Sequence, residues 1–151
     1  KIASSPMYSN VEIVDLSSNL AKEGSVDAVI TFRNLHNWLG PQMDSIFANS
    51  FKALRPGGIF GVVEHRANPG TSMEEMKKSG YVTEEHAIKV AKKHGFTLVS
   101  KSEINANNKD TKNHPKGVWT LPPNLRLKDV EKEKYIAIGE SDRMTLLFKK
   151  L

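Results

Sequence analysis

An apolar, β-branched run, Val26-Asp27-Ala28-Val29-Ile30-Thr31-Phe32, leads straight into a dense polar and aromatic group, Arg33-Asn34-Leu35-His36-Asn37-Trp38. A run of that length and composition reads as a buried strand. Such a strand delivers whatever follows it to its carboxyl end, which in open α/β sheets is the end where ligands bind. The fold and the candidate chemistry are therefore both read outward from this stretch.

The rest of the chain supplies the partners that such a strand needs. Upstream, Val11-Glu12-Ile13-Val14 reads as a short strand ending at Asp15, after a small and polar stretch with Pro6 that suits a helix tail or linker. Downstream, Gly40-Pro41 opens a helix whose apolar residues Met43, Ile46, Phe47, Phe51 and Leu54 recur at three- and four-residue spacing. Arg55-Pro56-Gly57-Gly58 stops it, and Ile59-Phe60-Gly61-Val62-Val63 is a second buried strand that ends in Glu64-His65-Arg66. Residues 73–80 are charged on both signs and read as surface. Thr83 caps a helix with Glu84 and Glu85 in its first turn and Ala87, Val90, Ala91 and His94 on one face, closed by Gly95. Residues 96–104 are a third strand in this part, residues 130–139 a short helix, and Met144-Thr145-Leu146-Leu147-Phe148 a last strand. Strand, helix and strand in alternation predict an α/β fold, a parallel sheet with helices on both faces.

Residues 105–126 are long, polar and broken by Pro115, Pro122 and Pro123. A segment of that kind within a domain points to a functional loop, and it is read as a lid-like insertion carrying His114 and Trp119. The whole chain of 151 residues reads as one domain, with 38% hydrophobic and 26% charged residues. No apolar run reaches the roughly 20 residues that span a bilayer. Without cysteine there is no disulfide, thiolate ligand or thiol nucleophile. A net charge of +5 with pI near 9.4 raises the question of an anionic partner. The lysines are scattered and not interleaved with aromatics, so a solvated basic surface is favoured over a nucleic-acid site.

Two neighbouring strands would bring the group at 33–38 and Glu64-His65-Arg66 to one rim, placing two imidazoles, a carboxylate and an indole around one crevice. An imidazole titrates near pH ~6.5, so His36 suits proton transfer near neutrality, with Glu64 to orient it or to act as base; His65 is the third candidate. The plainer alternative pairs Glu64 with Arg33 or Arg66 and leaves the histidines bonded to loop backbone. The glycines at 57, 58 and 61 sit at the amino end of a strand, where a dinucleotide-binding loop does not belong. No His–Glu spacing matches a helical zinc motif, so no metal is expected.

The order Ser25-Val26-Asp27-Ala28-Val29-Ile30, an amphipathic helix, Leu54-Arg55-Pro56-Gly57-Gly58-Ile59-Phe60 and Glu64 resembles the second half of a class I S-adenosylmethionine-dependent methyltransferase. Phe32-Arg33-Asn34 resembles the corresponding segment of ubiquinone/menaquinone C-methyltransferases. Four segments together, Thr31 through Trp38, Val62 through Arg66, Ser102 through Asn107 and Gly139 through Met144, resemble a family of largely uncharacterised bacterial methyltransferases. The resemblance implies a partial Rossmann-like methyltransferase sheet comprising the third to seventh strands, in a full order of third, second, first, fourth, fifth, seventh, sixth. Residues 11–14 would be the third strand and Val26–Phe32 the fourth. It implies S-adenosylmethionine as cofactor and a small-molecule acceptor. It also implies adenine contacts from Asp15, Ser17 or Ser18, and Arg33, Asn34 and His36 beside the methyl-bearing end; Trp38, His114 and Trp119 are read as the substrate or lid side. The family's glycine-rich first strand and acidic second-strand end have no counterpart here. The chain is accordingly expected to be the carboxyl-terminal portion of a longer methyltransferase that alone binds the cofactor poorly, with an open strand edge along Val26–Phe32 that is either covered or used in a homodimer. The other class of function kept open is a non-catalytic or partner-completed binding or assembly module.

Overall fold

The structure, a computed structural model, describes residues 5–151; of the expected linker at the start, the first four residues lie outside the described part. Four strands form one sheet in the order β1-β2-β4-β3: β1 (Val26–Phe32), β2 (Leu54–His65), β3 (Phe96–Ser102) and β4 (Arg143–Lys150). β1 and β2 pair in parallel, while β4 runs antiparallel to both β2 and β3. This is the fourth, fifth, seventh and sixth portion of the order that the resemblance implies, with one reversed strand where an all-parallel sheet was read. β2 is longer than the sequence suggested. It starts at Leu54, and Val26 faces Leu54 while Ala28 faces Ile59, so residues 55–58 bulge out of the register instead of breaking the strand.

Five helices connect the strands: α1 (Leu35–Trp38), α2 (Pro41–Ala53), α3 (Met73–Ser79), α4 (Glu84–Lys93) and α5 (Lys132–Ile138), with short 3-10 helices at Pro6–Tyr8 and Gly117–Thr120. The stripe read in the sequence is the buried face of α2, where Met43, Ile46 and Phe47 are inside. α3 was read only as charged surface. Ser72 caps it in a reciprocal box with Glu75, and Gly80 ends it in the left-handed conformation. Thr83 caps α4 as expected, accepting from the His86 N–H.

The pleat sorts the sheet into two unlike faces. Val29, Phe60, Val62, Leu146 and Phe148 point to the side that α2 and α4 cover, where Phe47, Phe60 and Phe96 meet with ring centroids 5.0 Å apart in each pair with Phe60. Ile30 and Phe32 alternate to the other side and are 63% and 57% exposed. Helices on both faces were expected; among the described residues α2 and α4 pack on one face, and the face carrying Ile30, Phe32 and Ile59 is open.

The expected strand at residues 11–14 is not formed. Val11 and Ile13 are exposed and the segment is irregular. A strand must hand its backbone groups to a neighbour, and in the implied order the third strand's neighbour is the second, which has no counterpart among the described residues. The same asymmetry sets a stability test. Phe60→Ala should lower the unfolding free energy by about 3–5 kcal/mol in denaturant titration, as for other buried aromatics, whereas Ile30→Ala should stay within about 0.5 kcal/mol.

Candidate active site

The carboxyl ends of β1 and β2 lie at one edge of the sheet, where β4 begins, and the sequence at that edge decides the site. Glu64 is the last inward-pointing residue of β2 and is fully buried. A carboxylate there is costly unless its oxygens are satisfied. Its Oε2 accepts the His36 N–H at 3.1 Å, and its Oε1 accepts the His65 N–H at 2.7 Å and faces His36 Nδ1 at 3.1 Å. His36 reaches this position through a tight exit from β1. Arg33 adopts the left-handed conformation at φ 56°, and its N–H donates to the Val63 carbonyl at 2.7 Å. α1 then begins at Leu35, which is buried, and turns the imidazole back over the end of β2. With Nδ1–H committed to an acceptor-only partner, Nε2 is the ring nitrogen left to exchange a proton.

His65 points from the neighbouring position on β2 and meets His36 with ring centroids 5.4 Å apart. Its Nδ1 lies 2.5 Å from Ser141 Oγ. Burial pulls its pKa down to about 4; Glu64 opposes this, while His36, Arg143 and Arg33 add to it. The pocket of about 250 Å³ in front of the two rings is lined by Arg33, Trp119, Ser141 and Arg143 among others. Arg143 pairs with Glu140, its Nε is buried with no partner among the described residues, and burial together with Arg33 lowers its pKa.

Residues 105–126 close one side of this pocket, held by a second buried carboxylate. Asp110 accepts from Tyr81 Oη at 2.9 Å, from the Asp142 N–H at 2.8 Å and from the Lys112 N–H at 2.9 Å, and it faces His114 Nε2 at 2.8 Å. Burial, and then the charge of Asp110, raises the Tyr81 pKa, so the phenol stays a donor. Asp142 is drawn upward by burial, but hydrogen bonds from Arg66, Lys112 and the Asn107 N–H outweigh this and hold it at about 2. Gly117, at φ 56°, lies so close to the end of α3 that a Cβ would collide with the Ser79 carbonyl. That close approach seats Trp119 with its ring at 74° to His36 and 5.9 Å away.

The candidates read from the sequence are thus distributed over three places. His36, Glu64, His65, Arg33 and Trp119 meet at one pocket. Asn34 and Trp38 instead line a separate cleft of about 460 Å³ along β1, together with Leu16, Leu20 and Thr31. Trp38 therefore belongs with this cleft and not with the lid segment. Asp15 and Ser17 bond each other in an exposed turn beside Leu16, with Asp15 Oδ1 accepting the Ser17 N–H at 2.8 Å. His114 is buried against Asp110 and Tyr135, so it anchors the segment and does not face the imidazole pair. Arg66 is taken by Asp142, Glu84 and Glu103, not by Glu64. The sequence reading missed Arg143, Ser141, Asp110 and Tyr81. For the first two a signal was at hand, since residues 139–144 are one of the segments that carry the resemblance.

His36, Glu64 and His65 offer ligand atoms within 4.8 Å of one another, the geometry of a loose metal site. The donor set does not suit a cation. Glu64 and His36 Nδ1 are spent on each other, and two guanidinium groups face the same pocket. Among the described residues no helix is long and apolar enough to cross a membrane.

No protein-family model matches the chain, and no curated protein matches it either. Solved structures do. The chain is similar to a protein of Galdieria sulphuraria described as a sarcosine dimethylglycine methyltransferase (TM-score 0.63, 14% identity, covering 95% of this chain and 60% of that one). It is similar to a S-adenosylmethionine-dependent methyltransferase of Methanosarcina mazei (0.58, 13%, 93% and 66%). A third similar structure is the cyclase SpnF (0.61, 16%, 92% and 56%). The fold is that of the class I methyltransferases. At 60%, 66% and 56% of their lengths in turn, the chain spans less than two thirds of each of these, and the cyclase shows that the methyltransferase fold alone does not fix the reaction.

Two measurements test the site. A neutral His65 contributes stability that is complete above the free imidazole value near 6.5 and is lost as the pH falls toward about 4. The wild-type unfolding free energy should therefore drop across that window by up to roughly 3 kcal/mol, and His65→Gln should flatten the drop. Gly117→Ala should shift Trp119 away from His36, read as a change in tryptophan emission with a loss of about 2–4 kcal/mol.

Proposed function

We propose that this chain takes part in S-adenosylmethionine-dependent methyl transfer to a small-molecule acceptor, with His36 as general base and Glu64 as the residue that fixes its tautomer. The observation that carries the reading is the His36–Glu64 pair, whose remaining ring nitrogen belongs to a residue lining a pocket at the carboxyl edge of a methyltransferase sheet. The closeness of four segments to the largely uncharacterised bacterial methyltransferases supports the same reading, as do the methyltransferases among the similar structures.

The cleft along β1 fits the cofactor. Thr31 lines it, and its Oγ1 is buried with no partner among the described residues, an unmet hydrogen bond that a ligand hydroxyl or amine would satisfy after a rotation of the side chain. Leu16, Leu20 and Trp38 offer apolar surface for an adenine ring, and Asn34 an amide at its rim. Bound there, the cofactor supplies a methyl group on a positively charged sulfur. Phe32 lines both this cleft and the imidazole pocket, Arg33 only the second and Asn34 only the first. Three consecutive residues thus divide donor from acceptor, and the exit of β1 sets the line along which the acceptor approaches. His36 Nε2 takes the acceptor's proton as its lone pair engages, and the buried Glu64 stabilises the imidazolium that results. Trp119 and the segment that carries it act as a lid that excludes water from the pocket.

A second reading, from a different class, is a partner-completed module. It is favoured by the outer edge of β1, which pairs with no strand among the described residues while Ile30 and Phe32 stand exposed beside it. A covering strand could come from further polypeptide of the same protein or from a second copy in a homodimer. Calorimetry with S-adenosylmethionine on this chain and on a form extended upstream separates the two. Under the first reading the extended form binds, Thr31→Val weakens it, and His36→Ala lowers labelled-methyl transfer to an acceptor panel by roughly 10²–10⁴-fold with cofactor affinity unchanged. Glu64→Gln should lower the rate in the same direction by less. Binding that ignores Thr31, or turnover that ignores His36, would sink the respective assignment.

A further inference from the structure

Beside the imidazole pocket, on the far side of Trp119, lies an open cleft of about 580 Å³ between α3 and the segment at 105–126. Its wall carries four cations, Lys78, Lys112, Lys116 and Arg126, against a single carboxylate, Glu75. That carboxylate is occupied by the cap of α3, where it accepts from the Ser72 N–H at 2.9 Å and from its hydroxyl at 2.8 Å. Lys112 is matched by Asp142 at 2.7 Å. Lys116 and Arg126 pair with no carboxylate among the described residues, and the charge of Lys78 acts on Glu75 three residues back on α3 without a direct ion pair; Arg126 lies over the Trp119 ring at 4.6 Å. The excess of positive charge around this concavity is self-repelling, and an anion seated within it reverses the sign of that energy.

The charge continues past Trp119. Arg33 and Arg143 face the imidazole pair against one carboxylate, Glu140, which pairs with Arg143, and the Arg143 Nε is buried with no partner among the described residues. The two cavities share Trp119, whose face carries Arg126 and whose edge meets His36. We infer that the acceptor is an anion that spans both: its phosphate or carboxylate group is held by Lys116, Arg126 and Lys78, and its reacting end passes Trp119 to His36. This rests on the methyl-transfer reading and adds to it the substrate class. An electropositive pocket also favours loss of a proton from the reacting group of such a molecule, which is the step assigned to His36.

Titration of the chain in a Trp38→Phe background, so that emission reports Trp119, tests the inference without requiring turnover. Pyrophosphate and citrate serve as the phosphate and carboxylate probes and choline as the cationic control, with calorimetry alongside. At least one anion should bind, with an affinity that falls as salt rises, and choline should not. Lys116→Ala, and Lys116→Ala with Arg126→Ala, should weaken binding by about tenfold or more, while Lys92→Ala on α4 leaves it unchanged; circular dichroism checks that each variant is folded. Whichever probe binds more tightly identifies the acid group. No binding by either anion, or binding indifferent to Lys116 and Arg126, overturns the inference. Labelled-methyl transfer measured separately distinguishes the failures: turnover of neutral acceptors without anion binding removes the substrate class and keeps the reaction, whereas anion binding by an upstream-extended form that binds no cofactor removes the reaction.

Discussion

Glu64 is the interaction on which the candidate site depends. A carboxylate with no solvent exposure at the end of a central strand is tolerated only because three N–H groups converge on it, one from its own strand and two from the first turn after β1. The bonds work in both directions. They neutralise the cost of burying Glu64, and they fix where β1 ends, how α1 starts and which nitrogen of His36 is free. The left-handed Arg33 follows from the same constraint, since a chain that continued in extended form would carry the imidazole past the carboxylate. Local strain at the exit of β1 is thus balanced by a hydrogen-bond set that a relaxed exit could not make.

Asp110 does for the long segment what Glu64 does for the strand ends. Residues 105–126 have little regular structure of their own, so their position cannot come from a backbone ladder. It comes from side chains: Tyr81 and His114 on Asp110, the backbone N–H of Asp142 on the same carboxylate, and Arg66 bridging Asp142, Glu84 and Glu103. These groups arise from four separate stretches of sequence. A close backbone contact joins Gly117 to the end of α3, where absence of a side chain lets two backbones touch. Trp119 follows two residues later and inherits its place over His36 from that contact.

The sequence carried the strands and helices well where periodicity and caps speak locally, as in α2, with Met43, Ile46 and Phe47 on its inner stripe, and in α4, with Thr83 as cap. It also carried the convergence of His36 and Glu64, because two apolar runs each ending in polar residues place those residues at one edge of a parallel pair. What it could not carry depends on partners that are distant in sequence. The segment at 11–14 has strand composition but no neighbour to pair with. α3 hides its single buried residue, Met76, in a charged stretch. The partition of Asn34 and Trp38 from His36 is set by a backbone turn at Arg33, which no side-chain pattern announces. The anchoring of His114 was equally hidden, since Asp110 is the decisive partner and a polar loop gives no sign of which aspartate is buried.

The open face of the sheet and the electropositive pocket are linked by the register of β2. Alternation places Phe60, Val62 and Glu64 inward, so Ile59, Gly61, Val63 and His65 fall on the other face, and the parallel partner β1 places Ile30 and Phe32 beside them. Moving the register by one residue would bury His65 beneath the helices and turn Glu64 outward. The observed register instead puts the carboxylate on the dry side, where it can hold an imidazole rigidly, and the second imidazole on the side that Trp119, Arg143 and Ser141 enclose. His36 is thus held from behind by the buried Glu64 and lies in a pocket that Arg33 and Arg143 also line. The same pleat that leaves Phe32 exposed makes it the boundary between the cleft along β1 and the pocket of His36.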